Sequence, residues 1–327
     1  MISLITGSTG FIGSHLVRRL AAAGRRIRTI VRSAAKASSL ERSGVEIIFG
    51  DLREGVDWQL ALAGVDEVFH LAGTTRVRSN REYYAGNHLA TSNLVKACAE
   101  HCSHLRRFVH ISSLAAVGPS PDGRPLHEGA PNRPVSDYGK SKMMSELDVL
   151  GASRQIPVTI LRPSIVYGPS ERDLLEYFRM VKRGIFLLIG HRQQLLNLVH
   201  DDDLAEAIVR ASESPRAVGE IYFVGSERQY TATEVGESIG EVVGCMPLRF
   251  HVPPSCVIAA GFVAGSVGRL ARRAVFFNLE KAREAIQTAW TCSVEKARLH
   301  FGYRQHVSLA EGFRKTYEWY QTQGWLT

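Results

Sequence analysis

Short apolar runs recur along the first half of the chain, each followed by a stretch whose apolar residues return every three or four positions. "ISLIT", "RIRTIV", "VEIIF", "EVFHLA", "RFVHIS" and "VTILR" have the length and composition of buried strands. The first intervening stretch predicts a helix from Phe11 to Ala23, closed by Gly24. Strands alternating with helices predict the α/β class with a doubly wound parallel sheet. The alternation loosens after "RPSIVYGP", resumes in "QLLNLVHDDDLAEAIVRA" and "EIYFVG", and then becomes mainly helical. A sheet domain over 1–169 and 196–224 is therefore expected, with a smaller, mainly helical C-terminal substrate domain over 170–195 and 225–327. Internal repeats and low-complexity linkers are absent.

One apolar run stands apart. "SCVIAAGFVAGSVG", from Ser255, falls short of the roughly 20 residues needed to cross a bilayer. Arg269, Arg272 and Arg273 follow it. A core helix is the expectation, the alternative being a surface-seeking helix near a membrane or lipid substrate. The opening "MISLITGSTG" has no basic stretch before its apolar residues, so no secretory signal is expected. A cytoplasmic protein without a membrane-surface partner follows.

The 327 residues, 45% hydrophobic and 22% charged, have ordinary globular composition and enough apolar mass for a large core. The net charge of +8 owes much to Arg18, Arg19, Arg25, Arg26, Arg28 and Arg32. No aromatic residues interleave with them, so they read as a solvated helix face and turn, and no nucleic-acid partner is expected. Five cysteines without paired spacing argue against a disulfide framework and for a reducing compartment. "CAEHCSH" places Cys98, His101, Cys102 and His104 together at a helix end. No second ligand cluster follows, so no metal is expected.

Candidate chemistry begins at "TGSTGFIG". Gly7, Gly10 and Gly13 fall between the first strand and the first helix, with Thr9, Phe11 and Ile12 among them. There Gly7 allows a tight turn, Gly10 lets backbone approach a pyrophosphate, and Gly13 permits close packing of helix on strand. The helix N-terminus faces the anion. This predicts a dinucleotide site. An acidic residue closing the second strand would hold the ribose hydroxyls of NAD, whereas an arginine accommodates the extra phosphate of NADP. The strand ends in "TIVRS", giving Arg32, with Lys36 beyond it and no carboxylate. NADP(H) is therefore expected in preference to NAD(H), which remains possible. "GDL" supplies Asp51 and Leu52 to flank an adenine. "HLAG" brings Leu71, Ala72 and Gly73 to the carboxyl edge of the sheet, where ligands bind in such folds.

"HISS" then sets Ile111, Ser112 and Ser113 beside a nicotinamide, and "SDYGKSK" follows. Tyr138 and Lys142 lie one helical turn apart and share a face, which Lys140 does not. A phenol near pKa 10 exchanges protons poorly at neutral pH. Lys142 is expected to lower that value and to hold the nicotinamide ribose, with Ser113 on the substrate oxygen.

In order, "TGSTGFIG", "GDL", "HLAG", "NHLATSNL", "HISS", "YGKSK", "RPSIVYGP" and "LVHDDDLA" resemble the extended short-chain dehydrogenase/reductase family, over nearly the whole chain. That family includes sugar epimerases and dehydratases, dihydroflavonol reductases and 3β-hydroxysteroid dehydrogenases. The resemblance implies Ser113, Tyr138 and Lys142 as catalytic residues and Asn87 as a helper that orders the site. It implies that Pro163, Ile165 and Val166 line the nicotinamide, and that a homodimer forms through the helices bearing Asn87 and Tyr138.

The chain departs from some branches. Dehydratases of the family continue the serine motif into an Asp-Glu pair, where this chain has Leu114 and Ala115. Many nucleotide-sugar enzymes place a diphosphate-gripping arginine where this chain has Leu196, although Arg192 and Arg228 are alternative anion partners. His200 and Asp201 to Asp203 read as a helix cap. The expected function is an NADP(H)-dependent reductase or dehydrogenase of a hydrophobic carbonyl or alcohol, similar to the dihydroflavonol reductase and hydroxysteroid dehydrogenase branch. The alternatives are a nucleotide-sugar epimerase and a non-catalytic NADP-sensing protein.

Overall fold

The structure, a computed structural model, describes residues 1–41, 44–271, 275 and 277–326, the side chains at 36, 38, 39 and 41 excepted. Strands β1 (Ile2–Thr6), β2 (Arg26–Val31), β3 (Glu46–Phe49), β4 (Glu67–His70), β5 (Arg107–Ile111) and β6 (Val158–Pro163) join Glu220–Val224 in a seven-stranded sheet. Its order is Glu220–Val224, β6, β5, β4, β1, β2, β3, and every pairing is parallel. The chain winds outward from β1 in one direction, then returns to start β4 on its other side. That reversal opens a crevice at the carboxyl ends of β1 and β4.

Parallel strands buried on both faces must alternate two apolar sets, and these do. Leu4, Val68, Phe108 and Ile160 enter one core cluster, while their neighbours Ile5, Phe69, Val109 and Leu161 enter another on the opposite face. Helices α1 (Phe11–Ala22), α2 (Ala34–Glu41), α3 (Trp58–Leu62), α4 (Asn80–Tyr83), α5 (Ala90–His101) and α6 (Asp137–Gly151) connect the strands. Leu16, Val17 and Leu20 of α1 pack into the Ile5 cluster; Leu94 and Val95 of α5 and Val149 of α6 pack into the other. Cys98 and Cys102 are buried in that second cluster as small hydrophobes.

The second half contributes α7 (Asp173–Lys182), α8 (Asp201–Glu213), α9 (Ala232–Val243), α10 (Pro254–Leu270), α11 (Leu279–Ala285), α12 (Glu295–Phe301) and α13 (Leu309–Thr322). A third apolar cluster, built on Tyr167, Phe178, Phe186, Ile239, Phe313 and Tyr320, unites α7, α9 and α13. Residues past 225 do not all belong to it. Ala297, Phe301 and Tyr303 return to the Ile5 face of the sheet, because the apolar side of α12 finds its partners there. His200 caps α8, its ring accepting from the Asp202 N–H at 3.2 Å.

The core-helix expectation for the apolar run from Ser255 to Gly268 is corrected. In α10 only Val257, Gly261 and Gly268 are buried, while Phe262, Val263 and Val267 face solvent. The helix packs by its small residues, which a composition argument does not distinguish from packing by its large ones. No described helix is long and apolar enough to cross a membrane.

Candidate active site

The glycine loop sits at the crevice. Gly7 has φ +77°, and a Cβ there would lie 2.6 Å from the Ala72 nitrogen. A Cβ on Gly13 would lie 2.1 Å from the Gly7 carbonyl oxygen. Only glycine lets the β1–α1 turn lie this close to the Leu71–Ala72 backbone and to α1 at once. Helix α1 begins at Gly10 with no side-chain cap and no acidic residue in its first turn. Its leading N–H groups and the positive end of its dipole are thus left for an anion. Thr9 and Gly10 are exposed at that end, with Phe11 and Ile12 half-buried behind them. This cradle fits the pyrophosphate of a dinucleotide.

At the ribose end, Arg32 is exposed where β2 stops. Asp51 is gripped by Arg53, whose Nε lies 3.0 Å from Oδ1 and whose second nitrogen lies 2.6 Å from Oδ2. Those bonds, against the opposing effect of burial and with added help from the charge of Arg32, hold the Asp51 carboxyl below its ordinary pKa. Leu52 is buried beside it, and Asn93 of α5 donates to its carbonyl at 3.0 Å. Arg53 was not singled out from the sequence, since nothing in "GDLRE" shows that the arginine folds back on the aspartate. The side chain of Lys36 lies outside the described residues.

The chemistry-bearing residues converge at the ends of β5 and α6. Ser136 caps α6 by accepting from the Gly139 N–H at 3.0 Å, which sets Tyr138 and Lys142 on one face. Ser113 follows β5, its hydroxyl accepting from the Ala115 N–H at 3.1 Å, and lies close enough to the Tyr138 phenol to favour its ionised form. Lys142 is buried and donates to the Ile111 carbonyl at 2.6 Å. Burial draws its pKa down to about 8, with the Glu146 carboxylate opposing the fall. Lys140 points outward, 3.8 Å from Asp137. Asn87, buried in a π-helical turn (Tyr84–Leu89), accepts from the Thr74 N–H at 2.6 Å and donates to the Ser141 hydroxyl at 2.9 Å. It thereby ties the loop after Gly73 to the helix carrying Tyr138. Pro163 is buried, Val166 is half-buried and Ile165 is exposed. Between them the buried Ser164 hydroxyl has no protein partner.

One electrostatic expectation is corrected. Burial pushes the Tyr138 phenol above its ordinary pKa, and the cation that opposes this is Lys281 of α11, not Lys142. Lys142 spends its ammonium on the Ile111 carbonyl instead. Burial alone would lower the pKa of Lys281. Glu284 and Asp173, 3.5 and 3.9 Å away, together with the Tyr138 and Tyr83 phenols, outweigh it and hold that pKa above the usual lysine value. Helix α11 also clamps the start of α6: Glu284 accepts from the Ser136 hydroxyl at 2.6 Å, and Glu280 accepts from the Asp137 N–H. Behind Lys142, Arg162 donates to Glu146 at 2.9 and 2.6 Å, and Ser112 donates to the same carboxylate. Glu146 sits one turn past Lys142, a spacing visible in the sequence. Lys281 lies well over a hundred residues from Tyr138 and gave no signal.

Further along the chain, Leu196 is half-buried in the short strand Leu195–Leu196. Arg228 is bound to Glu234 at 2.8 Å and stacks on Tyr230. Arg192 lines a cleft of about 240 Å³ with Arg249, Thr233 and the stacked His191 and His251.

A parallel sheet with a glycine cradle at its switch point, and a tyrosine and lysine one turn apart beside it, defines a nicotinamide-dependent enzyme of the oxidoreductase or epimerase kind. Comparison with known proteins agrees. Residues 3–225 match the NAD dependent epimerase/dehydratase family, and the chain belongs to it. It is 30% identical to the ceramide reductase of Caulobacter vibrioides over 98% of this chain and 95% of that one. It is 27% identical to a UDP-glucose 4-epimerase of Vibrio cholerae, over 96% and 93% of the two chains. Among solved structures, MoeE5 in complex with UDP-glucuronic acid and NAD superposes with a TM-score of 0.79 at 26% identity, covering 99% of this chain and 100% of that one.

Proposed function

We propose that this enzyme is an NADP(H)-dependent reductase acting on the carbonyl of a hydrophobic small molecule, running in reverse as an alcohol dehydrogenase. The observation that carries the substrate class is Leu196, an apolar side chain at the position where nucleotide-sugar relatives place a diphosphate-gripping arginine, with Arg228 already committed to Glu234. A diphosphate buried there without cationic partners would be costly. The name of the ceramide reductase relative points the same way.

The cofactor, held along Gly7 to Gly13, supplies the hydride. Tyr138 gives its phenolic proton to the carbonyl oxygen, or takes one from the alcohol. Ser113, beside that phenol, holds the substrate oxygen in line with it. Lys142 orients the ribose, and Asn87 fixes the helix through Ser141. Among the described residues Arg32, exposed at the end of β2, has no carboxylate bound to it and Asp51 is tied to Arg53, which supports preference for the 2′-phosphate of NADP(H). Tyr138 and Lys142 have no use in a non-catalytic sensor.

A second reading, a nucleotide-sugar epimerase that reuses its hydride, draws on the cationic cleft around Arg192 and on the epimerase relative. Calorimetry of UDP against the cofactor-loaded enzyme separates the two. The reductase predicts weak or no UDP binding and NADPH turnover with hydrophobic ketones; micromolar UDP binding overturns it. Fluorescence titration of NADPH and NADH tests the cofactor preference, with Arg32→Asp expected to reverse it.

A further inference from the structure

We propose that the outward face of α10 docks this enzyme on an anionic lipid surface. The reading is independent of the chemistry proposed above. An ordinary surface helix turns its apolar stripe to the core and its polar face to water. Helix α10 does neither. Its 17 residues, roughly 25 Å of helix, contain one charged side chain, Arg269. The face turned to the protein is made of small residues. A Cβ on Gly261 would fall 2.7 Å from the Ala282 Cβ of α11, and one on Gly265 would fall 3.5 Å from the Asn278 Cβ.

The large apolar residues are left outside. Val263, Val267 and Leu270 follow one another at helical spacing along one exposed stripe, with Phe262 beside it. They are 59, 59, 88 and 57% exposed respectively. Isolated apolar residues at a surface need no explanation, but a stripe along one helix marks a contact. The strand feeding α10 (Leu248–Val252) behaves similarly. Its exposed Leu248 and Phe250 pair in register with Ile185 and Leu187, which are exposed as well.

Charge selects the occupant. Residues 242–279 include Arg249, which pairs with Glu237 of α9, and Arg269, Arg272 and Arg273, but no aspartate or glutamate. A second copy of this chain would bring the same acid-free, arginine-bearing segment against itself, with no carboxylate to meet it. A phosphate-bearing bilayer surface offers the counter-charge, at about 1 kcal/mol per arginine near an anionic leaflet, and an apolar layer for the stripe. The helix is too short to span, so it lies in the interface. Its seat, α11, holds Glu280, Lys281 and Glu284 against the start of the catalytic helix. Docking there sets the Tyr138 site one helix away from the lipid.

The test is co-sedimentation of the full-length protein with vesicles of phosphatidylglycerol and phosphatidylcholine in equal parts, and with phosphatidylcholine alone. The wild type should bind the mixed vesicles, lose most of that binding at high salt, and bind the neutral vesicles weakly. Val263→Glu with Val267→Glu should bind the mixed vesicles about tenfold less, because two apolar anchors become anions. NADPH titration of that variant controls for folding and should match the wild type, since neither valine belongs to the cofactor site. Failure of the wild type to bind mixed vesicles, or equal binding by the double variant, overturns the proposal. A dimer in sedimentation velocity that the double variant abolishes, without vesicle binding, would assign the face to a second copy instead.

Discussion

Replacing Glu146 by glutamine keeps the side chain's shape and removes one buried charge. In the folded enzyme Glu146 receives two bonds from Arg162 and one from Ser112, and the Arg162–Glu146 pair is 3 and 2% exposed. Breaking such a pair strands the guanidinium, at a cost of about 3–5 kcal/mol. The glutamine oxygen still accepts from Arg162, so the low end, about 3 kcal/mol, is expected. That is a large part of the roughly 5–15 kcal/mol that holds a domain folded. The second effect is on Lys142, one turn away, whose pKa stands at about 8 because burial pulls it down and Glu146 resists. With the carboxylate gone only burial remains, and the pKa falls further. A lysine with a lower pKa loses its proton at lower pH, so the alkaline limb of kcat/KM should move from about pH 8 to lower pH. Urea unfolding and a pH profile measure the two effects separately. A structural role alone would lower stability and leave the limb where it was. A variant within about 1 kcal/mol of wild type with an unmoved limb refutes the reasoning outright.

Tyr138→Phe removes the transferable proton and nothing that touches the dinucleotide. Turnover should fall by about 10²–10⁴-fold while NADPH affinity in a fluorescence titration stays put. Lys281→Met removes the cation that opposes the rise in the Tyr138 pKa, leaving Glu284 and Asp173 beside the phenol. The phenolate then forms only at higher pH, and the rising limb of alcohol oxidation should move to higher pH, with a smaller change in cofactor binding. Gly13→Ala places a methyl 2.1 Å from the Gly7 carbonyl, where the contact is backbone and cannot yield cheaply. Loss of about 1–3 kcal/mol in thermal unfolding, and of most dinucleotide affinity, is expected.

How far the sequence reached depends on where the information lay. The sheet was legible because the strands of its first half are short, largely apolar runs set between amphipathic stretches. The glycine loop was legible because three glycines between a strand and a helix meet a geometric demand that no other residue satisfies; the contacts of Gly7 with Ala72 and of Gly13 with Gly7 are that demand. The pairing of Tyr138 with Lys142 follows from helical spacing alone. The direction of the Lys142 ammonium did not, since the Ile111 carbonyl that captures it comes from another element. For α10 the pattern itself was ambiguous. Small and large apolar residues alternate along it, and only the approach of α11 decides which set is buried.

The electrostatics of Tyr138 show why a local motif stops short of a site. A helix N-terminus favours nearby anions, and α6 obtains two, Glu280 and Glu284, from a helix that begins well over a hundred residues later. Glu284, together with Asp173, raises the phenol's pKa and works against proton transfer. Lys281 lies between Glu280 and Glu284 in sequence, close enough to Glu284 and Asp173 to be held charged and close enough to Tyr138 to oppose the rise. The C-terminal region therefore reaches the start of α6 directly. It supplies both the anchor for the catalytic helix and the cation beside the residue proposed to move the proton. A substitution in α11 that loosened the anchor would also withdraw the cation, so effects on stability and on proton transfer should appear together in that helix.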